Sequence, residues 1–298
     1  MSERRADSLR WRRAVSTDIP ALSAFLKMGE ERRVGFSGRL LREGSRPLPT
    51  LRLPSILRGS VWLASIEDTT VSGAILCHPS RLVFPILPAE ELGGDRSFAL
   101  LTSSFQSASV IGMASDVARY ESARSIVPKA SIAYRLMTRP EGRHAPVRLT
   151  VPPYQGLVVR RATADDLDAL VPLQEAYEHE EVLTPIHVFN PAACKVSLAR
   201  AIERQLVFAA EEGGVIVGKA GTNARGFHVD QIGGVYTLPA RRGRGVAAAL
   251  MAALLADIHA QGRKPSLFVK PANIAAMALY HGLGFEEIGD YRADYFET

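Results

Sequence analysis

The chain has 298 residues, of which 47% are hydrophobic and 22% charged, a composition typical of globular proteins long enough for two domains. No apolar run approaches the roughly 20 residues that span a bilayer, and no apolar leader segment follows the N-terminal charges, so we expect a cytoplasmic protein with no membrane partner. The net charge of +5 is unevenly distributed, since residues 1–150 carry 22 Lys and Arg against 14 Asp and Glu. The arginines of this basic half have no aromatic residues interleaved with them. This pattern favours a solvated surface over a nucleic-acid interface.

The cysteine and histidine content indicates neither a disulfide framework nor a metal site. The two cysteines, Cys77 and Cys194, lie in different halves of the chain, and the seven histidines do not cluster. No metal is therefore expected, and we predict buried or incidental thiols.

The first elements of the chain recur in its second half. Residues 11–22 align with residues 159–170 at an offset of 148, and residues 61–64 align with residues 206–209 at an offset of 145. Two collinear matches at nearly one offset imply a duplicated unit of about half the chain. Each copy predicts a strand, an amphipathic helix and then a hairpin, formed by Val61–Ile66 with Val71–Leu76 and by Leu206–Glu211 with Val215–Ala220.

A proline-rich segment separates the copies. Residues 139–153 contain four prolines at positions 140, 146, 152 and 153 and no hydrophobic periodicity, which is typical of a linker. We therefore predict a first domain at 1–138, a linker at 139–156 and a second domain at 157–298.

Two helices of the second copy carry recognisable start signals. Thr163 and Asp166 have capping-box spacing before the first helix. Asn190 followed by Pro191 predicts an N-cap and an N1 proline for a helix that runs through Leu198 and Ile202.

The most informative stretch, residues 233–255, reads as strand, glycine-rich turn and helix. Val235, Tyr236 and Thr237 are β-formers, Pro239 ends the ladder, and a helix is predicted over Ala247–Ala260 with Gly262 beyond its end. Gly243 and Gly245 let backbone N–H groups approach a ligand at the positive end of that helix. With Arg241, Arg242 and Arg244 as further donors, the turn predicts a diphosphate cradle, although a glycine-rich turn beside a basic surface patch is the simpler alternative.

The motif Arg242-Gly243-Arg244-Gly245-Val246-Ala247 resembles the acyl-CoA loop of the GNAT N-acetyltransferase superfamily, whose pattern is Gln/Arg-x-x-Gly-x-Gly/Ala. Downstream, Asn273 opens a short helix that reaches Leu279-Tyr280 and then Gly284-Phe285, which is also similar to that superfamily. The resemblance covers about residues 157–298. It implies an α/β fold of two tandem GNAT-like domains, each a central mixed, mostly antiparallel sheet flanked by helices.

The resemblance also implies a site for acetyl-CoA. The Val235 N–H would polarise the acetyl carbonyl, while Val235, Tyr236 and Thr237 hold the pantetheine arm beside a bulge at Gly233-Gly234. The loop would bind the diphosphate through Arg242, Gly243, Arg244, Gly245, Val246 and Ala247. Asn273 would contact the cofactor arm, and Tyr280 would donate a proton to the departing thiolate. The alternatives are glycines kept for helix packing, an N-cap role for Asn273 and a core role for Tyr280.

The general base is left open by the sequence. Family members that acetylate lysine often carry a Glu where this chain has Gln231, which cannot accept a proton at neutral pH. Glu178 and Glu181, in an acidic cluster at the end of the first helix, are candidates for drawing a cationic amine, or they form a solvated helix end. Lys219 and Asn223 are further candidates near the acceptor.

The first copy lacks the glycine loop, its arginines and an Asn-to-Leu-Tyr helix, so we expect a degenerate first domain. The expected function is acetyl-CoA-dependent transfer to an amine acceptor, either a small molecule or a peptide. A small amine or amino sugar in place of a protein acceptor remains an alternative, as does a non-catalytic acyl-CoA sensor. The oligomeric state is not indicated.

Overall fold

The computed structural model describes residues 9–41, 53, 59–66, 70–89, 98, 101, 105–140 and 155–296. The predicted linker, apart from positions 139, 140, 155 and 156, lies outside these residues, as does Leu92–Asp95. The chain forms two compact units: the first comprises residues 1–134 with 290–298, and the second comprises residues 135–289. No helix in the described part is long and apolar enough to cross a membrane.

The first unit is a mixed sheet with the strand order β1-β2-β3-β4-β5-β12. Neighbours from β1 to β4 are antiparallel, β5 is parallel to β4, and β12 is antiparallel to β5. The elements are β1 (Arg10–Arg13), α1 (Ile19–Lys27), α2 (Val34–Leu40), β2 (Ser60–Ile66), β3 (Thr70–Cys77), β4 (Leu82–Ile86), β5 (Ser109–Met113), α3 (Ala114–Arg124), and β12 (Glu286–Tyr295) from the end of the chain.

The second unit repeats this arrangement with the strand order β6-β11-β10-β9-β8-β7. Here β10 is parallel to β11, and the other neighbours are antiparallel. The elements are β6 (Ala130–Thr138), β7 (Leu157–Arg161), α4 (Leu167–Tyr177), a π-helical turn (Glu178–Val182), α5 (Pro191–Arg204), β8 (Val207–Glu212), β9 (Val215–Arg225), β10 (Val229–Thr237), α6 (Val246–Ala260), β11 (Lys264–Val269) and α7 (Ile274–Gly282).

The duplication is confirmed by local detail as well as by strand order. Arg12 binds Asp18 through two contacts of 2.7 Å, and 148 residues later Arg160 binds Asp166 at 2.8 and 2.7 Å. Each aspartate closes a short 3₁₀ turn that follows the first strand of its unit. The second strands share a register shift, at Ala64/Ser65 and at Ala210/Glu211. The ion pair and the register shift therefore recur at equivalent positions of the two units.

Each sheet is completed by a strand from the other half of the sequence. In the second unit, residues 135–138 of β6 pair antiparallel with residues 266–269 of β11. In the first unit, residues 291–295 of β12 pair antiparallel with residues 109–113 of β5. The last strand of each copy therefore belongs to the unit that the other copy begins.

The core of the second unit lies on both faces of its sheet, as the alternation of side chains along a strand requires. On one face α6 buries Val246, Leu250, Leu254 and Ile258 against strand residues that include Phe208 and Val217. On the other face α4 and α5 cover the neighbouring positions Val207 and Ile216. The predicted N-cap of α5 is confirmed, because Asn190 Oδ1 accepts from the Ala193 N–H at 3.0 Å.

The stability of the first unit is expected to depend on β12, because this strand from the end of the chain completes its sheet. Tyr291, on β12, is 4% exposed, so Tyr291→Ala is expected to cost about 3–5 kcal/mol of folding free energy, as for other buried aromatic residues. Trp11 and Trp62, the only two tryptophans of the chain, both lie in the first unit, and their fluorescence during chemical denaturation reports the loss. Val188→Ala, at a site 92% exposed, serves as the control. An unchanged tryptophan-detected midpoint in Tyr291→Ala would contradict the placement of β12.

Candidate active site

The sheet of the second unit opens in the middle of β10. Parallel pairing between β10 and β11 ends at Ile232 opposite Leu267, although β10 continues to Thr237. On its other side β10 slips by one residue between Gly233 and Tyr236, and Gly234 has a φ of +64°. Among the described residues, Gly234 and Val235 are thus without a paired residue in either neighbouring strand. The predicted bulge is confirmed.

Side chains of β9, rather than a helix, surround the two glycines of the bulge. A Cβ on Gly233 would lie 2.6 Å from Asn223 Nδ2, and one on Gly234 would lie 3.0 Å from Lys219 Nζ. These glycines therefore allow the approach of Asn223 and Lys219. The alternative of close helix packing does not describe them.

Beyond β10 the chain forms the expected turn into α6. A 3₁₀ turn at Pro239–Arg241 precedes Gly243 and Gly245, which have φ angles of +73° and +79°. Helix α6 begins at Val246 with Gly245 as an N-cap that offers no side-chain hydrogen bond. The first N–H groups of a helix have no partner within the helix, so this end presents free donors with the positive end of the helix dipole. No atom lies within 4 Å of a Cβ placed on Gly243.

The three arginines of the turn are each held by a glutamate. Arg241 and Arg244 approach Glu212, the latter at 3.8 Å. Arg242 donates to Glu180 at 2.7 Å and to the Thr237 carbonyl at 3.1 Å. The ion pair with Glu180 raises the pKa of Arg242. Such partly exposed pairs are worth about 0–1 kcal/mol, so a phosphate could replace a carboxylate at little cost.

The π-helical turn brings its glutamates to the predicted cofactor residues. Glu180 accepts from the Tyr236 hydroxyl at 2.7 Å as well as from Arg242, and the Tyr236 hydrogen bond lowers the pKa of Glu180. Glu181 accepts from Asn273 Nδ2 at 2.9 Å and lies 3.4 Å from Lys270 Nζ. Two of these glutamates are therefore partners of site residues and do not form a merely solvated helix end.

Helix α7 positions Asn273 and Tyr280. Asn273 Oδ1 accepts from the Ala276 N–H at 3.1 Å, so the N-cap role is observed. Tyr280 is 7% exposed and packs against Phe285, with 6.0 Å between ring centroids. Its hydroxyl hydrogen-bonds no other described group. Burial, with smaller effects from nearby Tyr177 and Glu181, raises the pKa of Tyr280, so this phenol stays protonated at neutral pH.

Of the remaining predicted residues, Gln231 and Asn223 lie on the strands beside the bulge, and Glu178 lies on the π-helical turn. Gln231 is 5% exposed and is paired on both sides, with Ala224 and Ser266. Asn223 is exposed next to Gly233. Glu178 accepts from Gln174 Nε2 at 2.9 Å.

Two further residues lie at the bulge. Tyr177 was not predicted from the sequence as a site residue, and Lys219 was predicted only as a candidate near the acceptor. Lys219 is 4% exposed, donates from Nζ to the Gly234 carbonyl at 2.9 Å, and lies 4.8 Å from the centre of the Tyr177 ring. Burial lowers the pKa of Lys219 to about 8. Burial also raises the pKa of Tyr177 to about 12, opposed by a hydrogen bond from the Gly234 backbone. The available signal was a lone cation in the apolar run Val215–Ala220.

The first unit has a helix at the place of α7, although it lacks the sequence from Asn to Leu-Tyr. Helix α3 follows β5 with Met113 as its N-cap, and Tyr120, preceded by Arg119, is the seventh residue of α3 as Tyr280 is of α7. The Tyr120 hydroxyl lies 3.1 Å from Ser107 Oγ and accepts from Arg124 at 3.4 Å. The helix and its tyrosine are present, but this hydroxyl is occupied.

Comparisons with known proteins agree with this geometry. Residues 173–285 match the Acetyltransferase (GNAT) family. A GCN5-related N-acetyltransferase from Sphaerobacter thermophilus is similar over 97% of this chain and 96% of that one, with a TM-score of 0.57 and 16% identity. A GNAT-family acetyltransferase from Colwellia psychrerythraea gives 0.55 at 12% identity, over 97% of this chain and 100% of that one. No curated protein matches the chain.

A third solved structure bears on the duplication. A tandem GNAT protein from the clavulanic acid biosynthesis pathway has a TM-score of 0.55 at 13% identity and covers 97% of this chain and 98% of that one. At such identities the likeness shows the fold, which is that of two GNAT-like domains in one chain. The family match falls on the second of them. The second unit therefore contains the segment that matches the GNAT family, and the chain as a whole has a tandem GNAT-like fold.

Proposed function

We propose that the second unit transfers an acetyl group from acetyl-CoA to an acceptor amine by direct attack, without a covalent enzyme intermediate. The observation that carries the proposal is the opening of the sheet at the Gly234 bulge, with the uncapped N-terminus of α6 at the end of the same strand. Unpaired strand backbone can hydrogen-bond an extended acyl arm, and the helix end can hold its diphosphate.

The residues present fit acetyl-CoA. Gly243 and Gly245 adopt left-handed conformations that expose backbone N–H groups, and the space around Gly243 is open. Thr237 Oγ1, on the strand that would hold the arm, is buried without a hydrogen-bond partner among the described residues. When bound, acetyl-CoA supplies the activated acyl group.

The chain's own groups then have separate roles. The N–H groups of residues 243–247 and the side chains of Arg242 and Arg244 bind the diphosphate, and Val235–Thr237 and Asn273 hold the arm. The Val235 N–H donates to the thioester carbonyl, which lowers the cost of negative charge on that oxygen. Tyr280, kept protonated by burial, gives its proton to the leaving thiolate.

The acceptor side is acidic. Glu178 and Glu181 lie on the π-helical turn, and both perturb the pKa of Tyr177 beside the bulge. Carboxylates in this place favour a cationic amine, either a peptide lysine or a small polyamine or amino sugar. Because the side-chain amide of Gln231 cannot accept a proton at neutral pH, deprotonation of that amine falls to one of these carboxylates or to water.

Thioester turnover over an amine panel tests the proposal. CoA release is followed with a thiol-reactive dye, with a lysine peptide, spermidine and glucosamine offered in turn. We expect release that depends on the acceptor and yields acetylated amine by mass spectrometry. Acetyl-CoA binding without CoA release on any amine would instead identify an acyl-CoA sensor.

A further inference from the structure

Lys219 is a charged side chain placed inside the sheet. It lies on β9 and is 4% exposed. Burying an ammonium is costly unless it gains hydrogen bonds or opposite charge. The ammonium donates to the Gly234 carbonyl at 2.9 Å, and the centre of the Tyr177 ring lies 4.8 Å away. The position of this cation is therefore tied to the bulge.

The carbonyl that Lys219 contacts shares a peptide group with the Val235 N–H. A trans peptide is planar, and its C=O and N–H point in opposite directions. Because the Gly234 oxygen points at the Lys219 ammonium, the Val235 N–H points away from it. A cation on the carbonyl oxygen also draws electron density from the amide, which makes the N–H a stronger donor.

Gly234 makes this contact possible. Its φ of +64° is a conformation that non-glycine residues rarely adopt, and a Cβ there would lie 3.0 Å from Lys219 Nζ. The glycine thus turns the peptide out of the ladder and also leaves room for the ammonium. Both features act on the same peptide group.

We propose that Lys219 is a positioning residue that orients and polarises the Gly234–Val235 peptide, so that the Val235 N–H is aimed at the thioester carbonyl with increased donor strength. The inference rests on the proposed function, because it assigns the acyl carbonyl to that N–H. Lys219 touches neither acetyl-CoA nor the amine in this role and acts through the peptide.

An infrared measurement on bound acetyl-CoA tests the proposal without any acceptor. Acetyl-CoA labelled with ¹³C at the acetyl carbonyl is bound to the wild type, to Lys219→Met, which keeps the length without the charge, and to Lys219→Gln, which keeps a donor. We expect the carbonyl stretch to shift to lower frequency on binding the wild type, less on binding Lys219→Gln and least on binding Lys219→Met. Lys195→Met, at a half-exposed lysine paired with Asp168 at 2.6 Å, is the control and should match the wild type.

Kinetics give a second readout. Loss of a whole oxyanion donor is worth about 10²–10³-fold in kcat, so weakening one donor should lower kcat about 10-fold in Lys219→Met, with KM for acetyl-CoA nearly unchanged. The groups that face Lys219 from the packed elements are Tyr177, Glu178 and Cys194. With a pKa of about 8, the cation is lost as pH rises through that value. The rate advantage of the wild type over Lys219→Met should therefore shrink above about pH 8.

The outcomes separate the two proposals. No acetyl-CoA binding or turnover by the wild type would overturn the proposed function and this inference with it. Binding with the same carbonyl frequency in all four proteins would overturn the role of Lys219 alone. A wild-type advantage that grows above pH 8 would also overturn it, because that sign identifies the neutral amine as a general base. If Lys219→Met does not fold by circular dichroism, Lys219→Gln decides by the same two readouts.

Discussion

Tyr280→Phe is expected to lower kcat by about 10²–10⁴-fold, the usual worth of general acid catalysis, while acetyl-CoA affinity changes little. The substitution removes a hydroxyl that hydrogen-bonds no other described group but keeps the ring that packs on Phe285. Since burial raises the pKa of Tyr280, its own ionisation should not limit the rate near neutral pH. Steady-state turnover and calorimetric titration of acetyl-CoA measure the two effects separately.

The chain offers two controls for this variant. Tyr120→Phe changes the tyrosine at the same place in the first unit, whose hydroxyl is taken by Ser107 and Arg124, and should leave kcat within about twofold. Tyr177→Phe tests the other hydroxyl beside the bulge. A loss below about threefold in Tyr280→Phe, with a large loss in Tyr177→Phe, would transfer the proton donor to Tyr177.

Gly245→Val is expected to weaken acetyl-CoA binding by at least about 100-fold. Gly245 has a φ of +79° and begins α6, and a β-branched side chain there both strains the turn and obstructs the N–H groups. Each hydrogen bond to a charged group contributes about 1.5–3 kcal/mol, so loss of two diphosphate contacts is sufficient for an effect of this size. Calorimetry should give about one site per chain in the wild type, since the glycine loop occurs only in the second copy.

Gly262→Val is the control for the effect of backbone strain alone. Gly262 lies just beyond the other end of α6, has a φ of +67°, and has no atom within 4 Å of the position that a Cβ would take. The Gly262→Val variant should lose about as much folding free energy as Gly245→Val, about 1–2 kcal/mol for a left-handed non-glycine residue, and should bind acetyl-CoA as the wild type does. Equal weakening in both variants would attribute the loss to instability. A stoichiometry near two would locate a second site in the first unit.

Much of the candidate site follows from local sequence. The bulge at Gly233-Gly234, the left-handed Gly243 and Gly245, the start of α6 and the Asn273 N-cap all depend on backbone preferences of a few consecutive residues. Such features can be predicted because neighbouring residues decide them. The roles of the acidic residues could not be predicted in this way, because Glu180 and Glu181 reach Arg242 and Asn273 across about 60 and 90 positions of sequence.

By itself the sequence determined the duplication, the strand, helix and hairpin of each copy, and the loop that distinguishes the second copy. Only the tertiary structure decided that β6 completes the second sheet and β12 the first, because strands with similar alternation compete for the same edge and pairing is settled by packing. The tertiary structure likewise decided the importance of Lys219. A lysine is ordinarily a surface residue, and its chemistry here comes from burial against Tyr177 and from the Gly234 carbonyl, which the fold places beside it.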